Sequence, residues 1–392
     1  MKQRLDGLAV FRELLKDGAV AAFRELLQDC CRNDADNFVS HCGEFESLLF
    51  QQSDCWTAYL RRAVMESENV CIRNWASGAV TAVQEECLNR ELAFLDRLSQ
   101  VTLDDLTAGL DHAPDFLVGW RTEGGSIAQD YRQRMQEVGE KGYGIFARYH
   151  MFTVENGQLV PVKHPDPQQL EQLPGYEQER QKVIANTQAL LDGKPANNVL
   201  LYGDAGTGKS SAIKAIANNF AEQGLRLVEV KKNQLYQIPD LMDALAANPL
   251  KFILFIDDLS FTSNDDNFAA LKAILEGSVG GRAQNIAVYA TSNRRHLIKE
   301  TMTDRNGDDI HESDTRQELM SLSARFGLTV TFASPDRDRY LYIVGELAKQ
   351  YGVDLDEHTL AVRSEAFAIR MGGRSARVAK QFIELCKSGV QV

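Results

Sequence analysis

The spacing of apolar residues changes character near the middle of the chain. Over residues 1 to about 100, apolar positions recur at helical spacing, as in the series Trp75, Ala79, Val83 and Cys87. In the second half, short apolar runs that predict strands alternate with helical stretches, an order typical of a parallel α/β sheet. The predicted strands lie at 198–202, 225–230, 252–257, 285–291 and 328–333. From Ser334 to about Cys386 the pattern is helical again and predicts a C-terminal helical lid.

A β-hairpin is predicted between the two halves. The run Met151 to Val162 alternates apolar and polar residues around Asn156-Gly157, a pair that suits the type I′ turn. Pro165 and Pro167 then mark a boundary. We therefore expect a helical N-terminal domain at 1–100 and a joining segment with the hairpin at 101–165. An α/β domain at 166–334 and the lid at 335–392 would complete the chain.

A phosphate-binding loop follows the first strand of the α/β part. The match to G-x-x-x-x-G-K-[ST] consists of Gly203, Asp204, Ala205, Gly206, Thr207, Gly208, Lys209 and Ser210, with Ser211 beginning the helical run. Glycines let successive backbone N–H groups point at a phosphate, and the N-terminus of the following helix adds positive potential. Lys209 would reach the β- and γ-phosphates, and the Ser210 hydroxyl would bind Mg²⁺. This pattern predicts binding of a nucleoside triphosphate.

Polar side chains also follow two later strands. Lys251 to Ile256 is apolar and ends in Asp257-Asp258, which suits a carboxylate for the Mg²⁺ shell at Asp257 and one that orients or deprotonates water at Asp258. The strand before Asn293 places that amide where it could hydrogen-bond the γ-phosphate or the attacking water. No Asn-Lys-x-Asp guanine signature occurs, so adenine is preferred.

Composition and charge limit the class of partner and the cellular compartment expected for this protein. The chain has 392 residues, a formal net charge of -12 and a pI of about 5.2, which disfavours indiscriminate nucleic-acid binding. No apolar run approaches the roughly 20 residues of a membrane span, and the N-terminus lacks a signal-peptide core. Seven cysteines without a C-x-x-C pair indicate free thiols in a reducing cytosol. We expect a cytoplasmic protein without a membrane segment, and no metal site among the cysteines.

The motifs together resemble the AAA+ P-loop ATPases. The resemblance rests on the P-loop, the strand ending at Asp257-Asp258, Thr291-Ser292-Asn293, and the phrases Ser321 to Gly327 and Gly372 to Arg377. The chain is more closely similar, over roughly residues 140 to 390, to a bacterial AAA+ group known only as a domain of unknown function. That closer similarity lies in Leu173 to Tyr176, Asp257 to Phe261 and Leu322 to Gly327.

This resemblance implies a fold and further site residues. The fold would be a three-layer AAA+ domain with a five-stranded parallel sheet and a helical lid. Leu173 to Tyr176 would line the adenine pocket, with Tyr176 among the nucleotide contacts, and Asn293 would be sensor 1. Arg325 would be an arginine finger for a neighbouring subunit. Arg377 would be sensor 2, with Arg374 as second choice.

Two departures from the wider superfamily concern turnover and partners. Asp258 stands where Glu is commoner, which puts the hydrolysis rate in question but not nucleotide binding. The segment Lys231 to Asp240 lacks the aromatic–glycine pore loop of ring unfoldases, and Tyr236 within it suits a core position equally well. The acidic stretch Thr303 to Asp314 has its glycine at the wrong position for an EF-hand and is expected to form a polar loop.

Three functions are compatible with these residues. The first is an ATPase with ATP and Mg²⁺ as cofactors, active as a homo-oligomer that remodels or loads a macromolecular partner. The second is a nucleotide-gated binding module with little turnover, and the third is a P-loop kinase, which the finger, sensors and lid disfavour. A protein partner bound through the N-terminal helices is preferred, while DNA contact through basic lid residues is possible but not favoured.

Overall fold

The computed structural model describes residues 1–111, 115–260, 267–276, 283–293 and 324–390. The chain divides into two compact units, Met1–Arg148 and Tyr149–Val392. The first unit therefore contains much of the segment that the sequence assigns to a joining region. Residues 261, 303–314 and 321–323, which carry part of the resemblance and the acidic stretch, lie outside the described residues.

The first unit is helical, as its apolar spacing predicts. Its described helices are α1 (Lys2–Asp6), α2 (Gly18–Arg32), α3 (Ala35–Phe50), α4 (Trp56–Glu66), α5 (Val70–Ala76), α6 (Ala82–Leu98), α7 (Leu103–Thr107), α8 (Ile127–Gln136), α9 (Val138–Lys141) and α10 (Ile145–Arg148), with a 3₁₀ helix at Arg12–Lys16. Side-chain oxygens cap several of them; Asp17, for example, accepts from Val20 N at the start of α2.

An aromatic cluster fills the centre of the helical unit. The Phe23 and Trp56 rings stack at 4.7 Å between centroids, and Phe45 meets Trp120 edge-on at 4.7 Å. Phe23, Phe45 and Trp56 are fully buried. The indole N–H of Trp56 donates to Leu98 O at 2.9 Å, so this ring is buried without an unsatisfied donor. The core of the unit is thus fixed by large rings with matched polar atoms.

Two buried acidic side chains tie the helical unit together. Glu91 on α6 accepts hydrogen bonds from the backbone N–H groups of Ala9, Val10 and Phe11, at 2.7 to 3.1 Å. Asp29 on α2 lies 2.6 Å from His41 Nδ1 on α3. Each acid therefore has partners supplied by the fold. All seven cysteines are free thiols.

The second unit is built on a seven-stranded sheet with the strand order β2-β1-β4-β5-β6-β3-β7. The strands are β1 (Met151–Glu155), β2 (Gln158–Pro161), β3 (Val199–Gly203), β4 (Leu225–Glu229), β5 (Lys251–Ile256), β6 (Ile286–Ser292) and β7 (Leu328–Phe332). In the spatial order β1-β4-β5-β6-β3-β7 every neighbouring pair of strands is parallel. Strand β2, at the edge of the sheet, is antiparallel to β1. Strand β5 is apolar and buried along nearly its whole length, as expected for a parallel strand covered on both faces.

The prediction of a five-stranded, purely parallel sheet is therefore wrong in number and type. The five predicted strands are present, but the hairpin at β1 and β2 extends their sheet. Met151 pairs with Leu227 and Phe152 with Val228, which places the hairpin beside β4. Met151, Phe152 and Val154 are buried, so the apolar positions of β1 give the physical reason for the extension.

Helices cover the sheet, and three more follow β7 in the segment predicted to be the lid. They are α11 (Glu177–Leu191), α12 (Lys209–Asn219), α13 (Ile238–Ala246), α14 (Asn267–Glu276), α15 (Arg337–Tyr351), α16 (Glu357–Arg370) and α17 (Ala376–Lys387), with 3₁₀ helices at Leu170–Gln172, Ala221–Gln223 and Lys232–Gln237. Tyr340, Ile343, Ala379 and Phe382 give the lid a buried core. Across the described parts of the chain, the helices are all too short or too polar to cross a membrane.

Candidate functional site

The glycine-rich loop connects β3 to α12. Gly203 ends β3 with φ of 145°, and a Cβ at this position would lie 1.9 Å from Phe332 O. Gly206, at the centre of the loop, has φ of 79°. Because L side chains rarely adopt these conformations, the loop requires glycine here. Helix α12 begins at Lys209, so the loop lies at a helix N-terminus.

The Lys209 ammonium lies inside this loop. Its Nζ is 2.8 Å from Gly203 O, 2.7 Å from Asp204 O and 3.0 Å from Asn293 Oδ1. Lys209 is only 6 % exposed, and burial lowers the pKa of its amine, while the Asp204, Asp257 and Asp258 carboxylates oppose that effect. Three oxygen acceptors therefore surround a buried ammonium, and the phosphate oxygens of a ligand could replace them.

Ser210, Asp257 and Thr291 meet at the ends of β5 and β6. Ser210 Oγ donates to Asp257 Oδ1 at 2.6 Å, and Thr291 Oγ1 donates to the same oxygen at 2.5 Å. The sequence assigns Ser210 and Asp257 to a Mg²⁺ shell, and the structure brings them together. Thr291 is a further partner, which sequence reasoning missed because its contact depends on β5 and β6 being neighbours.

Asp258 and Asn293 form a second polar pair next to this group. Asn293 Nδ2 donates to Asp258 Oδ1 at 2.9 Å, while its Oδ1 accepts from Lys209. Asp258 has a left-handed backbone with φ of 48°, held by its N–H donating to Thr291 Oγ1 at 2.9 Å. The predicted water-orienting acid and the predicted sensor amide are thus in direct contact with each other, and the amide also contacts the P-loop lysine.

The remaining loop residues hold the loop against the chain that leads into the lid. Asp204 Oδ2 accepts from Ser334 N at 3.1 Å and from Ser334 Oγ at 2.6 Å. Thr207 is buried and donates to Asp204 O at 2.9 Å. Ala205 and Ser211 line the cleft together with Gly208. Ser334 is a contact that the sequence did not indicate.

The two lid arginines differ in position. The backbone N–H of Arg377 donates to Gly206 O at 2.9 Å, and its exposed side chain lines the cleft. Arg374 instead forms a bidentate pair with Glu365, with Nε–Oε1 at 2.9 Å and Nη2–Oε2 at 2.6 Å. Glu365 raises the pKa of Arg374 through these hydrogen bonds. Arg377 is therefore the arginine positioned next to the P-loop.

Tyr176 lies at the cleft but is largely packed away. Its ring stacks on Phe332 at 5.2 Å between centroids, and the Arg339 guanidinium lies 4.9 Å from the ring centroid. Its hydroxyl donates to Ala333 O at 2.6 Å, and burial raises the pKa of Tyr176 to about 12. Tyr176 is 2 % exposed. It therefore offers the cleft only a small part of its surface and joins the segment before α11 to the end of β7.

One cleft of about 1120 Å³ in the second unit is bordered by Tyr176, Ala205 to Ser211, Asp257, Asp258, Thr291, Asn293 and Arg377. Gly203, Asp204 and Arg374 are not among its lining residues. Its wall also includes Leu173, Ile343 and Leu347, which are apolar, and Arg180, which is buried. Arg180 was missed because a buried arginine on α11 has no sequence pattern of its own.

Arg325, just before β7, is half-buried and is not among the residues that line the cleft. Tyr236, which the sequence allowed in the core, is 67 % exposed.

The donor set of the cleft fits a magnesium-bound triphosphate. Mg²⁺ at nucleotide sites is held by one or two carboxylates, and phosphates and water complete its shell. Ser210 and Asp257 offer such oxygens 2.6 Å apart. Within the residues described, no three His, Cys, Asp or Glu side chains cluster as a metal site of their own. A metal here would thus need oxygens from the ligand.

The chain has a weak likeness to solved structures of a bacterial motor protein. The Thermotoga maritima RuvB Holliday junction branch migration motor has 17 % sequence identity and a TM-score of 0.39, with 57 % of this chain and 67 % of that chain covered. A variant of that RuvB has 18 % identity, the same TM-score and the same coverage. No curated protein sequence matches the chain.

A family match covers more than half of the chain. Residues 146–390 match the family described as "Protein of unknown function (DUF815)". The match spans the hairpin, the P-loop, the acidic strand end and the lid, so it includes every residue of the cleft. It confirms the predicted similarity to a group of unknown function that carries the AAA+ P-loop motifs. The chain belongs to the DUF815 family.

Proposed function

We propose that this protein is an AAA+ ATPase that binds Mg-ATP in the cleft and hydrolyses it to ADP and phosphate. The observation that carries the proposal is the single network joining Lys209, Asn293 and Asp258 beside the Ser210–Asp257 pair. It places a phosphate-binding cation, two oxygens suited to Mg²⁺ and a candidate base within one set of hydrogen bonds.

Each residue has a role in this proposal. The amides of the loop from Gly203 to Gly208 and Lys209 would hold the phosphates, and Ser210 and Asp257 would hold Mg²⁺. Asp258 would orient the attacking water, and Asn293 would hold that carboxylate in place. Mg²⁺ would neutralise charge on the phosphates when bound.

Catalysis would be completed by arginines from two sources. Arg377 approaches the loop within its own chain through the Arg377 N–Gly206 O hydrogen bond. Arg325 lies outside the cleft-lining residues of its own chain, which supports its use as a finger in a neighbouring copy of a homo-oligomer. Turnover would then drive remodelling or loading of a protein partner held by the helical unit, in the cytoplasm.

Phosphate release measured against protein concentration tests the proposal. We expect turnover per chain to rise steeply with concentration, because the finger comes from another copy. Arg325→Ala should keep Mg-ATP affinity and lose about 10³-fold in turnover. Flat, negligible turnover with tight binding would favour the gated binding module, and phosphate transfer to an added acceptor would favour a kinase.

Lys209→Ala tests the binding step itself. Removing the buried ammonium should weaken Mg-ATP binding at least about 100-fold, or about 3 kcal/mol, in calorimetry. Lys194→Ala is the control, because Lys194 is an exposed lysine paired with Asp192 and does not line the cleft. Equal affinity of the Lys209 variant and the wild type would contradict the proposed site.

A further inference from the structure

Arg180 is a buried cation in the wall of the nucleotide cleft. It is 7 % exposed and lies in the first half of α11, four residues after Tyr176. Burial lowers the pKa of its guanidinium. A charged group is costly to bury unless its donors are used, so the partners of Arg180 decide what the residue is for.

Those partners use only part of the guanidinium. Arg180 Nη1 donates to Gly175 O, and Nη2 lies 3.6 Å from Glu177 Oε1. The Glu177 side chain is 57 % exposed, and its Oε1 already accepts a hydrogen bond from Gly175 N at 2.6 Å. A guanidinium has five N–H donors. Within the described chain, these two contacts leave donors of Arg180 for a ligand in the cleft.

The wall around Arg180 suits the uncharged end of a nucleotide. Leu173, Ile343 and Leu347 are apolar and cannot hold phosphate. Tyr176, expected from the sequence to contact adenine, has Phe332 stacked on its ring and Arg339 close to it. Arg180 therefore adds a cation with spare hydrogen-bond donors to this part of the wall. Purines carry acceptor nitrogens in the ring plane, and guanidinium groups bind such acceptors well.

We propose that Arg180 donates a hydrogen bond to a ring nitrogen of the purine and thereby contributes to binding of the base in the cleft. This inference rests on the nucleotide site proposed above. It assigns to Arg180 a role separate from phosphate and Mg²⁺ binding. The competing interpretation is structural: Arg180 would only fix the Pro174-Gly175 turn through Gly175 O.

Equilibrium binding to the full chain separates the two interpretations. The ligands are Mg²⁺ complexes of ATP, of 1-deaza-, 3-deaza- and 7-deaza-ATP, and of tripolyphosphate, which has no base. We expect the wild type to bind one deaza analogue about tenfold more weakly than ATP, because a charged donor would lose its acceptor. Tripolyphosphate binding reports the phosphate site alone.

Arg180→Met removes the donors and keeps the aliphatic stem. We expect it to bind ATP about tenfold more weakly, to bind tripolyphosphate within about twofold of the wild type, and to lose discrimination against that one analogue. Arg180→Lys, which keeps the charge, serves as a second variant if the first does not fold. Arg226→Met is the matched control, because Arg226 is 5 % exposed, bonds Ala221 O and Leu225 O, and lies outside the cleft wall.

Two results would overturn the role of Arg180. One is equal binding of ATP and all three deaza analogues by the wild type. The other is an equal loss of ATP and tripolyphosphate binding in the Arg180 variants, which would indicate the structural role in the turn. Failure of the wild type to bind either ATP or tripolyphosphate would remove the proposed nucleotide site and this inference with it.

Discussion

The two units bury polar side chains in different ways. In the helical unit, the Glu91 carboxylate accepts from the backbone of Ala9, Val10 and Phe11. In the α/β unit, Lys209 donates to loop carbonyls and to Asn293, at a cleft that a ligand can enter. The partners of Glu91 are backbone N–H groups of its own unit, and no ligand replaces them in this proposal.

The comparison separates structural from functional burial. A buried ion is costly in either place and needs partners. Glu91 lines neither of the two clefts described for this protein, whereas the buried Lys209 and Arg180 both line the nucleotide cleft. Burial alone does not distinguish structural from functional groups. The distinction is whether a ligand can reach the buried group and replace its partners. Three experiments test this distinction.

The largest expected effect is on folding, from Glu91→Ala. Three backbone N–H groups would lose their acceptor, which should lower the free energy of unfolding of the helical unit by about 4 kcal/mol. All three tryptophans, Trp56, Trp75 and Trp120, lie in this unit, so urea unfolding followed by tryptophan fluorescence reports on it.

The control for Glu91 is an exposed acid on the same helix. Glu85→Ala on α6 should change the free energy of unfolding by less than about 0.5 kcal/mol. If the free energy of unfolding of Glu91→Ala lay within about 1 kcal/mol of the wild-type value, the buried carboxylate would not be needed for stability. That result would contradict the structural role given to Glu91.

A smaller effect should distinguish Arg377 from Arg374 in the α/β unit. Arg377→Ala removes an exposed cation at the cleft and should lower ATP turnover about tenfold. Arg374→Ala breaks a pair with Glu365 inside the lid and should leave nucleotide affinity within about twofold of the wild type, with only a small loss of stability. Kinetics and thermal unfolding of both variants measure this. A larger kinetic effect at Arg374 would reverse the assignment of sensor 2.

The smallest effect is a pH dependence in the helical unit. The hydrogen bond to Asp29 raises the pKa of His41, whose value in the unfolded chain is about 6.5. The contribution of the pair is therefore full below about pH 6.5 and is lost as pH rises through the raised folded-state pKa. We expect a loss of at most about 1 kcal/mol between pH 6 and pH 9, because solvent screens the partly exposed pair.

His41→Asn isolates this contribution. The variant should show a flatter change in urea unfolding free energy between the same two pH values than the wild type. Stability of the wild type that rises relative to the variant over this range would have the opposite sign and would exclude a raised pKa of His41.

The sequence was most informative where a motif is local. The strand, turn and helix of the P-loop lie within about twenty consecutive residues, and Asp257 follows an apolar strand directly. Strand ends of a parallel sheet meet at one side of it, so the approach of Asn293 to the loop could also be anticipated.

Contacts between distant segments were not predictable in the same way. The pairing of β1 with β4 depends on which of several apolar strands becomes a neighbour, and no local pattern specifies that choice. Arg180 resembles any helical arginine until the cleft is known. The Asp204–Ser334 contact likewise depends on β7 lying beside β3. Tyr176 could be proposed from the sequence, but only the packing of Phe332 and Arg339 shows how little of its ring reaches the cleft.

The hairpin also bears on any study of a shortened chain. A fragment cut at residue 166, the start that the sequence suggests for the α/β domain, would lack β1 and β2 and leave one side of β4 without its hydrogen-bonding neighbour. Exposed strand edges of this kind pair with other chains. Pairing of these exposed edges would produce oligomers of the fragment that are unrelated to assembly of the intact chain. Assembly should therefore be measured on versions of this protein that start before Tyr149.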